Sequence, residues 1–546
     1  MKDRICQRDY ELSKKIIGKG TWLDKVAYKL VEREKQLGRS MELVKVESGI
    51  GASGIPHVGS LGDAVRAYGV SLALMNMGYN SKLVAYADDM DGLRKIPSGL
   101  PHWLNEYLGK PVSKIPDPSG DCHESFSSHI ISSLTDSLDK VGIKYELQKA
   151  SETYQKGMLT TQIDRILSKH EQLGNKISTY VGQDKYKNSL PFFPVCESCG
   201  RLYVTSASKY FSDEKKVTYS CTGTTLGNNK ILGCNYIGEV STKSDKGKLA
   251  WKVEFAARWC AFDIRFEAYG KDIMDSVRVN DWVSDVILDF PHPLHIKYEM
   301  FLDKIGKKIS KSAGNVLTPQ KWLKYGTSQS LLLLLLKRIT GTRTIGIEDV
   351  PTLMDEYDAV EDLFFGKKKE ANYEKMIKIK GLYEYVNHLH PPIHNIEHVP
   401  YQLIAQQGSL FCQDRIGKIY ERLIKYKLVT KLTPELKAKI ECACNWADDY
   451  LRSDKKFDIT LSVSEVRAIN DLKSKLQDIN DRNGSELAQD IQNAIYQSAR
   501  ANTIEPKKFF ELLYKILINN TNGPKLGSYI LDLGIKRTIG ILDSYI

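Results

Sequence analysis

No stretch of this 546-residue chain is apolar for long. Its longest uninterrupted apolar run is Leu331–Leu336, against the roughly 20 residues that a membrane-spanning helix needs. The first residues carry no apolar core of the signal-peptide kind. Both absences predict a soluble, cytoplasmic protein with no membrane partner. Cysteine is sparse as well: ten residues in this length do not make a disulfide scaffold. Acidic residues are outnumbered, 67 Asp and Glu against 78 Lys and Arg, for a formal net charge of +11. That balance suits a polyanionic partner, although lysine scattered over a surface gives the same figure. Apolar residues at 42% are ample for a core, and the length predicts roughly two to four domains.

Residues 43–60 organise the chain. Leu43-Val-Lys-Val46 is β-rich, Gly49, Gly51 and Gly54 follow within a few residues, and Pro56, His57 and Gly59 precede a helical pattern from Leu61 to Met77. A strand, a glycine-rich turn and a helix present backbone N–H groups and a positive dipole end to an anion. An ordinary βα turn reads the same way until it has partners. An amphipathic helix is expected over 20–37. A second strand over Ser81–Ala87 runs into Asp88-Asp-Met-Asp91 and completes a βαβ unit, so the sheet should be parallel and doubly wound, with ligands at the C-terminal strand ends. The acidic run there takes an amine or a hydrated metal, or else caps the next helix. Further along, helices are expected over 125–141 and Ser151–His170, with a strand at Gly142–Leu147 between them.

From about residue 191 the character changes. Cys196-x-x-Cys199-Gly, then Cys221 and Cys234, lie in a short polar β-like segment. Four thiolates make a closed zinc site that stabilises a small insert; a knuckle that no longer holds metal is the alternative. Cys6, Cys122, Cys260, Cys412, Cys442 and Cys444 show no such arrangement and read as ordinary thiols. Trp259 reads as core. Gly270-Lys271-Asp272 places a carboxylate that can accept both hydroxyls of a ribose. Lys308-Ile309-Ser310-Lys311-Ser312 is a glycine-flanked basic loop able to set mobile ammonium groups on a triphosphate.

Pro56-His57-Val58-Gly59-Ser60 resembles the HIGH signature of class I aminoacyl-tRNA synthetases, and Lys308–Ser312 resembles their KMSKS signature. More closely, the chain resembles the class I, archaeal-type lysyl-tRNA synthetases. The resemblance is carried by Glu47 through Gly59, Asp88 through Pro97, Pro116-Asp-Pro118, the cysteine knuckle, Trp251-Lys-Val-Glu254, Ala257-Arg-Trp259, Gly270-Lys-Asp272, Asp355-Glu-Tyr-Asp358 and Gly523-Pro-Lys-Leu-Gly527. It implies a Rossmann-like, doubly wound α/β catalytic domain (1–190 and 246–345), a zinc-binding insert (191–245) and an all-α anticodon-binding domain (346–546). It also implies the activation of L-lysine by ATP with Mg2+, release of pyrophosphate, and transfer of lysine to the terminal adenosine of tRNA(Lys).

Carried over by motif, His57, Lys308 and Lys311 are the catalytic candidates. ATP would meet Ala52, Ser53, Gly54, Pro56, His57, Gly59, Ser60, Asp272 and Lys308–Ser312, including Ile309 and Ser310. Lysine would meet Gly49, Gly51, Trp251 and Tyr298, with Glu47, Asp63 and Glu254 as candidate partners of its amines. Structural Zn2+ would sit on Cys196, Cys199, Cys221 and Cys234. Three positions depart from the family pattern: Gly51, Ala52 and Ile273, the last standing where a histidine is usual. A synthetase for another amino acid, glutamate above all, and a tRNA-binding protein without activity are the competing readings.

From about residue 345 on, apolar residues recur at helical spacing. Val466, Ile469, Leu472, Leu476 and Ile479 form one stripe, and Phe509, Leu512, Leu513 and Ile516 another; each predicts a helix facing a core.

Overall fold

The computed structural model describes residues 16–546 apart from 98, 121, 228, 308, 310–316, 412–413, 452–458, 481–486 and 519–524. It divides into two units. One comprises Met1–Trp322, Ser328–Asp349 and Ala359–Ile393, the other Leu323–Thr327, Val350–Asp358 and His394–Ile546.

The first unit is built on a five-stranded parallel sheet. Its strands are β1 (Val44–Gly51), β2 (Ser81–Asp88), β3 (Glu146–Lys149), β4 (Ile264–Gly270) and β5 (Leu294–Tyr298), in the spatial order β5-β4-β1-β2-β3. The chain moves outward from β1 to β3 and then returns to the other side of β1, so the strand order reverses between β1 and β4. The sheet is doubly wound, as expected, and the crevice at that reversal is where such sheets bind ligands.

Helix α1 (Trp22–Gln36) opens the unit with a capping box, Thr21 against Asp24. Helix α2 (Val58–Asn76) is buried on nearly every side. Gly69 lets α1 approach it: a Cβ there would lie 2.8 Å from a methyl of Leu23. Helix α3 (Phe126–Lys140) buries Ile130, Ile131, Leu134 and Leu138. The helix expected over Ser151–His170 is instead split into Ala150–Gln155, Thr160–Ser168 and His170–Val181. The first break falls at Gly157, whose φ of 64° leaves the helical region.

The insert is antiparallel. A three-stranded sheet pairs Thr205–Phe211 with Lys216–Cys221 and Ile237–Ser241. Its return strand, Gly247–Leu249, pairs with Phe192–Pro194 and leads directly into α4 (Trp251–Phe262). Helix α5 (Met274–Trp282) follows β4.

The second unit is helical throughout its described residues. Both predicted stripes are realised there except at Val466, which is only partly buried: Ile469, Leu472, Leu476 and Ile479 pack in one core with Phe509, Leu512, Leu513 and Ile516. No described helix is long and apolar enough to cross a membrane.

Candidate active site

A cavity of about 430 Å3 opens at the C-terminal edge of β1 and β4. It is lined by Gly49 and Gly51 of β1, His57, Ser60 and Asp63 at the start of α2, Trp251 of α4, Asp272 just after β4, and Tyr298 at the end of β5. Eight residues chosen from the sequence therefore meet around one space. Sequence reasoning did not select Tyr86, Lys95, Phe255, Tyr269 and Met300, which also line it; Asp88, from the acidic run expected to take an amine or a hydrated metal, lines it too. Ile273, noted only as a departure, is part of the wall.

The turn after β1 is shaped by His57. Its Nδ1 accepts a hydrogen bond from the Ser60 N–H at 3.2 Å and so caps α2. Gly59 makes room for the ring, because a Cβ there would lie 2.8 Å from the imidazole. The positive end of this 19-residue helix thus faces the cavity edge. Asp63, one turn further along, accepts from the Tyr298 hydroxyl and lies 3.4 Å from the Arg66 guanidinium. Arg66 in turn sits 4.3 Å from the Tyr298 ring centre. Ala52, Ser53, Gly54, Pro56 and Gly59 belong to the same turn without lining the cavity. Of the basic loop, Lys308, Ser310, Lys311 and Ser312 lie outside the described residues; Ile309 is buried, its N–H donating to the Phe301 carbonyl at 3.2 Å.

Two of the three carboxylates put forward for the substrate amines lie elsewhere. Glu47 is fully buried and accepts from Arg258 Nε at 2.6 Å. It stands beside Glu267 in the β1–β4 register, and Arg258 bridges the two, reaching Glu267 at 3.0 Å. Burial pushes the Glu47 carboxyl up to about 8, against the pull of Arg258. Glu254 faces the ammonium of Lys248, a residue on the return strand of the insert that is 1% exposed. Lys248 also donates to Asp88 at 2.7 Å and to Asp91 at 3.1 Å. Tyr154 donates to Glu254 at 2.9 Å, and Trp251 Nε1 donates to Asp88 at 2.9 Å. Burial, with Asp88 nearby, raises Glu254 to about 7 although Lys248 pulls it down. The remaining acidic residue of that run, Asp89, accepts from the Ser151 N–H and hydroxyl and holds the start of the next helix. Of the acidic run, then, one residue serves as a helix anchor and two are neutralised from inside the protein.

Among the described residues, two clusters can hold a metal. The sulfurs of Cys196, Cys199, Cys221 and Cys234 lie within 4.8 Å of one another, with Cys196–Cys234 at 3.5 Å and Cys199–Cys221 at 3.9 Å. The second cluster was not expected. Asp117, Cys122, His123 and His129 bring their ligand atoms equally close, so Cys122 is not an isolated thiol. Its Sγ lies 3.1 Å from His123 Nδ1 and 3.3 Å from His129 Nδ1. The signal was available as Cys122-His123 followed by His129 on the first turn of α3.

The profile of the family described as tRNA synthetases class I (K) matches residues 20–388. The chain belongs to that family. It is 49% identical over 526 residues to a protein of Cenarchaeum symbiosum (strain A) named lysine–tRNA ligase, covering 96% of this chain and 98% of that one. It is 30% identical to a protein of the same name from Rickettsia akari (strain Hartford), over 95% of this chain and 96% of that one. Among solved structures, a glutamate–tRNA synthetase from Elizabethkingia anophelis aligns over 92% of this chain and 100% of its own, at 13% identity and a TM-score of 0.39.

Proposed function

We propose that this chain is a lysine–tRNA ligase: it activates L-lysine with ATP and transfers the lysyl group to the terminal adenosine of tRNA(Lys). The observation that carries this reading is the convergence of the His57 turn, Asp272 and the Asp63–Tyr298 pair on one cavity, in a chain 49% identical to a lysine–tRNA ligase. In the first step an oxygen of the lysine carboxylate attacks the α-phosphorus of ATP, which enters as its Mg2+ complex, and the bond to pyrophosphate breaks. In the second step a ribose hydroxyl of the tRNA attacks the lysyl carbonyl and AMP leaves. The protein's part is positioning and charge stabilisation. The dipole end of α2, His57 and Ser60 receive the phosphates, and Asp272 accepts from the adenosine ribose. Lys308 and Lys311 steady the departing pyrophosphate. Trp251 and Tyr298 wall the substrate's aliphatic chain.

Asp63 is assigned the substrate ammonium. Among the three carboxylates considered, it alone lines the cavity, its longer 3.4 Å approach to Arg66 notwithstanding, whereas Glu47 and Glu254 are buried and held by Arg258 and Lys248. The four-cysteine cluster is assigned structural zinc. Zn–S bonds of about 2.3 Å give sulfur–sulfur edges of about 3.8 Å in a tetrahedron, and Cys196–Cys234 and Cys199–Cys221 are 3.5 and 3.9 Å apart here. Such an ion ties together the ends of the insert's strands. The Asp117, Cys122, His123 and His129 group has a donor set equally suited to zinc. The helical second unit is assigned anticodon binding.

Charging of total tRNA with labelled lysine, beside lysine- and glutamate-dependent pyrophosphate exchange, tests the reading. Exchange with lysine and lysylated tRNA are expected; exchange that runs with glutamate and not with lysine overturns it.

A further inference from the structure

A second cavity, of about 400 Å3, lies beside the first and shares Trp251 with it as a common wall. It is lined by residues of the catalytic body and of the insert, among them Arg94, Phe193, Tyr203, Lys248 and Lys252. Its chemistry is unlike that of its neighbour. Phe193 and Tyr203 meet edge to face, 5.3 Å between ring centres. The Arg94 guanidinium stands 5.0 Å from the Tyr203 ring centre and 6.0 Å from that of Trp251, and its side chain is 57% exposed. The acidic group on this wall, Asp91, accepts from Lys248 at 3.1 Å and from the Tyr203 hydroxyl at 2.8 Å, with Arg94 at 4.0 Å. Asp91 and Lys248 therefore neutralise one another from within, and the space presents the exposed Arg94, Lys252 and aromatic faces.

A space walled by aromatic rings and a guanidinium, its carboxylate already paired, offers no anion to an amino acid that ends in an ammonium group. It suits a planar base with an attached phosphate: bases stack on aromatic rings and on guanidinium planes, and lysine takes the phosphate as a point charge. The volume lies within the range of small-ligand sites, about 300–1,000 Å3. The reaction itself brings such a group here. The tRNA 3′ end is single-stranded, and its terminal ribose must reach the lysyl carbonyl in the first cavity. The nucleotide before it is one step back along the chain, and the adjoining space across Trp251 is this one.

We infer that the second cavity receives the base of the penultimate nucleotide of the tRNA 3′ end, stacked against Arg94 and Tyr203, with Lys252, whose ammonium donates to the Ser276 hydroxyl at 2.9 Å, able to give a further N–H to its phosphate. This rests on the tRNA-charging function proposed above. Subsite binding of this kind acts on the transfer step and leaves adenylate formation alone.

The test uses the full-length protein and the variants Arg94→Ala and Arg94→Lys. Each is assayed for lysine-dependent pyrophosphate exchange and for single-turnover transfer to two tRNA transcripts, one intact and one abasic at the penultimate position. The expected result is exchange within about twofold of wild type and transfer to intact tRNA slowed roughly tenfold or more in Arg94→Ala, in keeping with the loss of one base stack. Arg94→Lys keeps the charge beside Asp91 but has no planar face, and should share most of that loss. Abasic tRNA should slow wild type similarly and slow Arg94→Ala little further. Additive losses, unchanged transfer, or exchange that falls in step with transfer would each overturn the inference. Failure of wild-type exchange with lysine would instead strike at the parent reading.

Discussion

Lys248 is 1% exposed and faces three carboxylates. Replacing it with methionine keeps the volume and removes the charge. Three buried acids then face one another, with Trp251 Nε1, the Tyr154 and Tyr203 hydroxyls and Arg94 as their remaining partners. Removing one member of a buried ion cluster in this way costs about 3–5 kcal/mol. The loss should depend on pH, and its sign follows from Glu254. Its carboxyl is raised from 4.5 to about 7 by burial, so the folded state holds a proton that the unfolded state has given up. Stability from that proton is present below about 4.5 and is lost as pH rises through about 7. Without Lys248 the carboxylates lose the cation that draws their pKa values down, and the folded variant takes up more protons as pH falls. Each added proton is worth about 1.4 kcal/mol per pH unit over its window. Urea unfolding of wild type and Lys248→Met, followed by tryptophan fluorescence at pH 8 and pH 5.5, should show a deficit of several kcal/mol at the higher pH that narrows at the lower. Adding Asp91→Asn and Glu254→Gln should recover much of it. An unchanged midpoint at pH 8, or a deficit that widens on acidification, would refute the assigned role of the cluster.

Asp63→Asn, which keeps the Tyr298 hydrogen bond but loses the charge, should raise KM for lysine by roughly tenfold or more while KM for ATP stays near wild type; equal effects on both would move the ammonium site elsewhere. Lys311→Ala should slow adenylate formation by at least tenfold, consistent with about 2.7–4 kcal/mol for a donor used only in the transition state, and leave tRNA affinity near wild type in a filter-binding assay. Metal analysis of the purified protein should find zinc. Cys199→Ser should lose part of it and lower the thermal midpoint of the insert-bearing unit, whereas His129→Ala should lose a separate share with Cys199 intact.

The local grammar of the chain was legible where the punctuation is strong. Gly49, Gly51, Pro56 and His57 bracket the end of a strand and the start of a helix, and the structure places the strand at Val44–Gly51 and the helix at Val58–Asn76. Partners distant in the chain were not legible. Lys248 meets Asp88 across 160 residues and Arg258 meets Glu47 across 211, and no spacing rule reaches that far. For the same reason Glu47 and Glu254 looked available to substrate until their internal cations came into view. Cys122 was passed over because its companions are histidines and an aspartate, with no second cysteine to mark a knuckle.

Those internal cations bear on the choice between lysine and glutamate as substrate. A glutamate pocket needs a cation aimed at a carboxylate side chain. Arg258 does line the cavity, but its guanidinium is already spent on Glu47 at 2.6 Å and Glu267 at 3.0 Å, with the Phe255 ring 4.4 Å away. Lys248 is likewise committed to Asp88, Asp91 and Glu254. Lys95 lines the cavity as an exposed side chain, in water, where an ion pair is worth about 0–1 kcal/mol. The same cavity holds Asp63, which carries the Tyr298 hydrogen bond with Arg66 3.4 Å away, and the aromatic faces of Trp251 and Tyr298, which attract an ammonium-tipped chain. Ile273 contributes an apolar wall to the same space. With Arg258 and Lys248 committed internally, the wall is ill suited to a glutamate side chain, and a double variant that frees Arg258, Glu47→Gln with Glu267→Gln, should weaken lysine binding while admitting an acidic side chain. Lysine-dependent exchange in that variant equal to wild type, with no glutamate-dependent exchange, would show that Arg258 has no part in setting the sign of the pocket.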